Sequence, residues 1–286
     1  MQSRIGTWRF YHLSSLRWVL LAVGLAPAAV GVQATREQAA NPNRIVVQLS
    51  HAAQPAKIVL HMLMGNISVH GHNGNEVIIE GAREHERERL VPEEARGMKR
   101  LSQPGDLSSE EDNNVVTIHE GFNGGNVDLQ VPVGSGLSLK VTNGSVQVQG
   151  VVGEMDLEST NGGITLDQVG GSIVAHSLNG RISATVVRLD SKKPSSFSTL
   201  NGRIDLTLPA DLHASLNMRS DQGDIYLDQG FDFKPLAAAS GSARRSESDG
   251  MIKLKLDNSA RGALNGGGVE ISVRSFNGSI LVHKGK

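Results

Sequence analysis

From Arg44 onward, apolar and polar residues alternate along most of the chain, and glycine corners break the alternation at recurring intervals. The corners fall at Asn143-Gly144, Asn161-Gly162, Asn179-Gly180, Asn201-Gly202, Gln222-Gly223 and Asn277-Gly278, with successive spacings of 18, 18, 22, 21 and 55 residues. With the corner Asn or Gln as zero, positions minus six and minus four carry Leu137 and Leu139, Met155 and Leu157, Ile173 and Ala175, or Leu216 and Met218. Positions plus three and plus five carry Val146 and Val148, Ile164 and Leu166, Ile182 and Ala184, or Ile204 and Leu206. A period of two on both sides of each corner predicts strands buried on one face. A repeat of this length predicts one supersecondary unit stacked on copies of itself.

Position minus two is mostly a small hydroxyl: Ser159, Ser177, Thr199, Ser220 and Ser275, with Val141 the exception. The Asn-Gly pair is expected to supply positive-φ positions, which Gly adopts freely and Asn tolerates. Ile58, Leu60 and Met62, followed by Met64-Gly65 and then Ile67 and Val69, fit the same frame as a degenerate first copy. Two all-β architectures fit. Strand-Asn-Gly-strand is a hairpin signal, so stacked antiparallel hairpins are one solution. The other is a single elongated β-solenoid resembling a parallel β-helix, with equivalent residues above one another. The short repeat, the hydroxyl column and the second glycine corner at Gly153 and Gly170-Gly171 favour the solenoid.

The pattern divides the chain. Residues 1–34 read as a signal peptide, 35–43 as a polar spacer, and 44–284 as the β-strand-repeat domain. Two stretches interrupt the domain: a charged insertion at 82–114, with a short helix expected between Pro92 and Leu101, and a loop insertion at 231–250. The leader carries Arg4, Arg9 and Arg17 without an acid, then an apolar stretch from Val19 to Val32, with Val32-Gln33-Ala34 as a cleavage site. That stretch is short for a membrane span, which needs about 20 residues. No stable span is expected after cleavage, although retention as an anchor is the alternative.

Of the 28 basic side chains three lie in the leader, which leaves 25 against 29 acidic ones and a formal net charge of −4. No concentrated basic segment points to nucleic acid. The chain has no cysteine, so disulfides and thiolate metal sites are excluded. Both tryptophans and Tyr11 fall in the leader, so aliphatic residues must fill the core.

Candidate chemistry is thin. His61, His70 and His72 could approach a metal, but no carboxylate is placed with them, and solvent-facing histidines are the simpler reading. Asp221, Asp224 and Asp228, or Asp156 and Asp167, suggest calcium, which needs several oxygens converging on one point. Paired carboxylates for glycoside cleavage would need clustered acids on one face, whereas these acids are scattered along outward positions. No catalytic, metal or cofactor residue is therefore assigned, and no enzymatic activity is expected.

Val141-Thr-Asn-Gly-Ser-Val-Gln-Val148, Ser159-Thr-Asn-Gly-Gly-Ile-Thr-Leu166 and Thr199-Leu-Asn-Gly-Arg-Ile-Asp-Leu206, behind an export signal, resemble the bacterial β-strand-repeat family labelled "putative adhesin", domain-of-unknown-function family 4097. The resemblance covers residues 44–284. It implies an exported protein of the bacterial envelope, periplasmic or at the cell surface, and carries no catalytic residues. The partner expected from it is an envelope protein or a surface glycan. An accessory or sensor role in envelope-stress signalling is the alternative, and a polysaccharide-active enzyme a remoter one. Self-association through strand edges is also open.

Overall fold

The computed structural model describes residues 44–51, 53–82, 107–120, 125–236, 244–248, 251–255 and 258–285, within the unit Gln38–Lys286. The leader, the spacer and the helix expected at 92–101 lie outside them. Every regular element among the described residues is a β-strand.

Among the described residues no two strands flanking an Asn-Gly corner pair antiparallel, which removes the hairpin alternative. Gly136–Asn143 runs parallel between Lys57–Met64 and Val152–Asn161. After the corner, Val146–Gln149 runs parallel between Ile67–His72 and Ile164–Ser177. Each repeat thus contributes one strand to a column before the corner and one to a column after it. The register keeps equivalent residues opposite: Leu137 faces Met155, Ile164 faces Ile182, and Ile182 faces Ile204. A one-residue slip would turn every aliphatic side chain outward, so alternation alone fixes this register. Ile164, Ile182 and Ile204 are fully buried, and the aliphatic rows of both columns form one cluster. Phe197, the largest fully buried side chain, stacks beside the small Ala175.

Order in space departs from order in sequence at both ends. Named by corner glycine, the repeats stack as Gly125, Gly65, Gly144, Gly162, Gly180, Gly202, Gly278 and Gly223. The Gly125 repeat, Val115–Glu120 with Asn126–Pro132, lies outside the earlier Gly65 repeat. The Gly278 repeat, Val269–Asn277 with Ile280–Lys284, is inserted between the Gly202 and Gly223 repeats. Antiparallel strands cover the ends. Leu107–Asp112 covers Val115–Glu120, Glu76–Ala82 and then Arg44–Gln48 cover Asn126–Pro132, and Ser259–Leu264 covers Ala214–Ser220. Leu107–Asp112 is therefore a strand within a stretch expected to be a charged loop. Phe233–Pro235 and the pair Arg244–Ser248 with Met251–Lys255 place strands in and beside the second insertion.

The corner glycines are required for a reason other than the one expected. Gly65 and Gly144 have φ of +116° and +158°, but Gly162, Gly180, Gly202, Gly223 and Gly278 are not among the positive-φ residues, and neither are the corner asparagines. The constraint is close approach instead. A Cβ on Gly162, Gly180, Gly202 or Gly278 would strike the carbonyl of the corner glycine in the adjacent repeat, closer than the 3.0 Å that real Cβ atoms respect. The hydroxyls at minus two exploit the same proximity. Ser159 Oγ donates to Gly144 O and Ser177 Oγ to Gly162 O, each at 2.9 Å, and Thr199 Oγ1 donates to Gly180 O at 2.9 Å. Outside the corner, asparagines form a ladder: Asn161 Nδ2 donates to Asn143 Oδ1 at 2.8 Å, Asn179 to Asn161 at 2.9 Å, and Asn201 to Asn179 at 2.7 Å. Asn277 adds a further rung on Asn201 at 2.7 Å.

Candidate functional site

The step from Asn179 to Asn201 is 22 residues where the two before it are 18. The surplus lies between Leu189, which faces Gly171, and Ser196, which faces Val174. Those residues leave the strand as a loop, Asp190 to Pro194, whose base is firmly tied. Asp190 N–H donates to Gly171 O at 3.0 Å, Ser172 Oγ donates to Pro194 O at 3.0 Å, and Ser195 Oγ accepts Ile173 N–H at 3.1 Å. Asp190 Oδ1 also accepts Lys192 N–H at 2.8 Å, closing a local turn. Ser195 is a buried polar residue at a position that other repeats fill with an aliphatic side chain, and its hydrogen bond accounts for the exchange.

From this loop Lys193 Nζ reaches Glu154 Oε2 at 2.7 Å, back on Val152–Asn161. The result is a groove of ≈ 860 Å³ along the start of the strands before the corner. Lys57, Gly136, Glu154 and Ser172 form one cross-strand row. Gly136 has no side chain, so the row dips between the Lys57 ammonium and the Glu154 carboxylate. Arg188 and Asp190 line the loop side, and Asp156 and Ser138 the next row. The hydrogen bond that Lys193 donates to Glu154, followed by the carboxylate's charge, holds the Lys193 ammonium above its ordinary pKa. Lys140 is raised in the same way by Glu158, its cross-strand partner at 3.0 Å. The groove therefore offers cations and carboxylates side by side over a backbone floor, chemistry suited to a polar chain with hydrogen-bonding groups of both kinds.

The structure does not bring the sequence candidates together. His61 and His70 stand in different columns, beside Lys140 and Gln149 respectively. His72 spends both ring nitrogens on backbone: Nδ1 accepts Gly74 N–H at 2.8 Å and Nε2 lies 2.9 Å from Glu76 O. The aspartates separate likewise. Asp221 pairs with Arg219 at 2.9 Å, Asp224 accepts the Tyr226 hydroxyl at 3.1 Å, and Asp228 accepts Gly230 N–H at 2.9 Å. Asp156 and Asp167 lie on strands of different columns. Among the described residues no group of three or more His, Cys, Asp or Glu could hold a metal ion.

The groove went unassigned in the sequence because its residues come from four separate repeats. The extra four residues in the spacing were the available signal. A second outward feature follows position minus one, where Leu178, Leu200 and Phe276 occupy adjacent repeats beside the asparagine ladder. Leu200 and Phe276 are exposed, and Leu178 is half-buried.

Parallel in-register repeats, a glycine-cornered aliphatic core and a loop-walled polar groove define an all-β repeat protein. The chain belongs to the Toastrack family, DUF4097, whose profile matches residues 49–262. No curated protein matches it. Among solved structures it is similar to one described as a "putative cell adhesion protein" from Clostridium sporogenes, at 9% identity with a TM-score of 0.40, covering 85% of this chain and 99% of that one.

Proposed function

We propose that this protein is an exported, non-enzymatic binding module of the bacterial envelope, a β-solenoid that holds a partner in the groove under the 190–194 loop. The observation that carries the reading is the local break after two successive 18-residue steps. Where the chain departs from the 18-residue repeat, the surplus residues are anchored by four hydrogen bonds and wall a groove rather than trailing as a loose loop. Loops mounted on a rigid scaffold are where binding residues concentrate. The scaffold suits the task because the Gly162, Gly180 and Gly202 repeats are each bonded on both sides through backbone, hydroxyl and asparagine rungs. Partners are presented with fixed rows of polar side chains about 4.8 Å apart. The leader would deliver the chain across the inner membrane, and cleavage would release it to the periplasm or cell surface.

The partner class is an envelope protein or a surface glycan. A photoreactive amino acid at Ser138, inside the groove, and a control at Ser183, on the other column, separate the outcomes in living cells. The account expects a discrete adduct from Ser138 only. A membrane protein in that adduct would identify an accessory role in envelope-stress signalling, and a carbohydrate would identify an adhesin. Identical labelling from both positions contradicts the proposal.

A further inference from the structure

The Gly278 repeat occupies a slot whose two walls, the Gly202 and Gly223 repeats, are consecutive in sequence but separated in space by the insert. The row contacts that hold the insert are of kinds that join other repeats too, and Lys284 adds bonds of its own to Asp228 Oδ2 and Gly230 O. Ile271, Val273, Ile280 and Val282 enter the core rows, Ser275 Oγ donates to Gly202 O at 3.0 Å, and Asn277 continues the asparagine ladder. On the far side Ser220 Oγ donates to Gly278 O at 2.9 Å. The slot therefore takes a repeat whose every contact a second copy of the same chain can supply.

The insert is also delivered as a clip. Ser259–Leu264 runs antiparallel along the outer edge of Ala214–Ser220, and Val269–Asn277 runs parallel along its inner edge. Ala214 faces both Leu264 and Val269, so the turn at 265–268 passes round the end of one strand. Asn265, Gly266 and Gly267 adopt φ of 48°, 91° and 85° there, and Asn265 Nδ2 is fixed to Ala210 O and Leu212 O. Clip and insert are thus joined by one tight turn, docked on the 208–214 link.

If the clip leaves, the slot can close on itself. The Gly223 repeat carries the full pattern, with Leu216 and Met218, Ser220, Gln222-Gly223, then Ile225 and Leu227, and its link to the Gly202 repeat is short, from Leu208 to Ala214. What it lacks is the corner asparagine. Gln222 cannot place the rung on Asn201 that Asn277 supplies, and Asp221 stands where the inner repeats have Leu178, Leu200 and Phe276. The residues that mark this repeat as an end make the closed, clip-free arrangement weaker than the filled one.

We infer that the slot between the Gly202 and Gly223 repeats is an exchange site, filled by residues 269–284 of the same chain in the monomer and by those of a second copy in a clip-swapped dimer. Exchange of an identical element joins two chains without requiring any new interface. This inference is independent of the groove.

The test uses the full chain, which has no native cysteine. Ser196 and Ser272 face one another across one wall of the slot and are both half-buried. The single variants Ser196→Cys and Ser272→Cys are mixed at high concentration, equilibrated, oxidised and digested, and the 196–272 disulfide is quantified by mass spectrometry. Ser196→Cys mixed with Thr165→Cys serves as the random-collision control. The expected result is a 196–272 heterodimer several-fold above control. A yield equal to the control overturns the exchange site.

Discussion

Replacing Gly180 by alanine isolates the force that places glycine at the corners. The new Cβ would meet Gly162 O and the Gly162 carbonyl carbon below, with Ser177 Oγ 2.8 Å away. Making room means lifting the corner off the repeat beneath it. That lengthens Asn179 N–H to Thr160 O, now 2.9 Å, and the Ser177 Oγ bond to Gly162 O, also 2.9 Å. Two weakened hydrogen bonds at about 1 kcal/mol each, added to an overpacking cost of about 1–3 kcal/mol, give roughly 3–5 kcal/mol. That is a large share of the 5–15 kcal/mol or so that stabilises a typical domain. Gly150 supplies the contrast. It has φ +67° and nothing within 4 Å of an added Cβ, so Gly150→Ala should cost only about 1–2 kcal/mol, and Gly150→Asn less. Urea unfolding followed by circular dichroism, with slopes compared between variants, reads these differences as midpoint shifts. If backbone conformation governed both sites, Asn at 180 would be tolerated as well as Asn at 150. Gly180→Ala within about 0.5 kcal/mol of the parent would refute the close-approach argument.

Further outcomes follow from the same geometry. Asn179 both donates to Asn161 and accepts from Asn201, whereas Asn143 accepts a single ladder bond, so Asn179→Ala should lose about twice as much stability as Asn143→Ala in the same titration. Phe197→Ala should cost about 3–5 kcal/mol by opening a cavity beside Ala175, with Phe197→Leu far milder. Asp228 is held below the ordinary carboxylate value by Gly230 N–H first and Lys284 N–H second. Its contribution is present above the unfolded-state pKa and disappears as pH falls through the lower folded value. Asp228→Asn should therefore flatten that part of the acid limb of a stability-against-pH curve; an unchanged limb would show that these bonds do not couple to folding.

Much of the fold was legible because alternation and corner spacing are local signals that reinforce one another. Leu137, Met155 and Ile173 stack as the pattern requires, and the hydroxyl column at minus two is real, although its members bond to glycine carbonyls rather than to each other. Three features were not legible. The role of the corner glycines depends on the adjacent repeat, so the sequence suggested a φ constraint where packing imposes a steric one. Leu107–Asp112 carries Ser, Glu or Asp at every position after Leu107, and only its place against Val115–Glu120 makes it a strand. The splice of the Gly278 repeat escaped notice because its residues match every neighbour equally well. The deviations that identify the end of the stack, Gln222 and Asp221, are informative only once the ladder they fail to join is known. The groove followed the same rule: its spacing signal was in the sequence, but Lys57 and Lys193 meet around it only through the stacking.

The most direct test of the stacked, spliced order is a pair of double-cysteine full chains. Ser196 and Ser272 are register partners, while Asn217 lies one repeat further on, about 9–10 Å from Ser196 between backbones. A disulfide needs Cα atoms within about 7 Å. Oxidised at low concentration, Ser196→Cys/Ser272→Cys should close within the monomer and Ser196→Cys/Asn217→Cys should stay reduced. Closure of the second pair instead of the first would mean that the repeats stack in chain order and that the account of this fold is wrong.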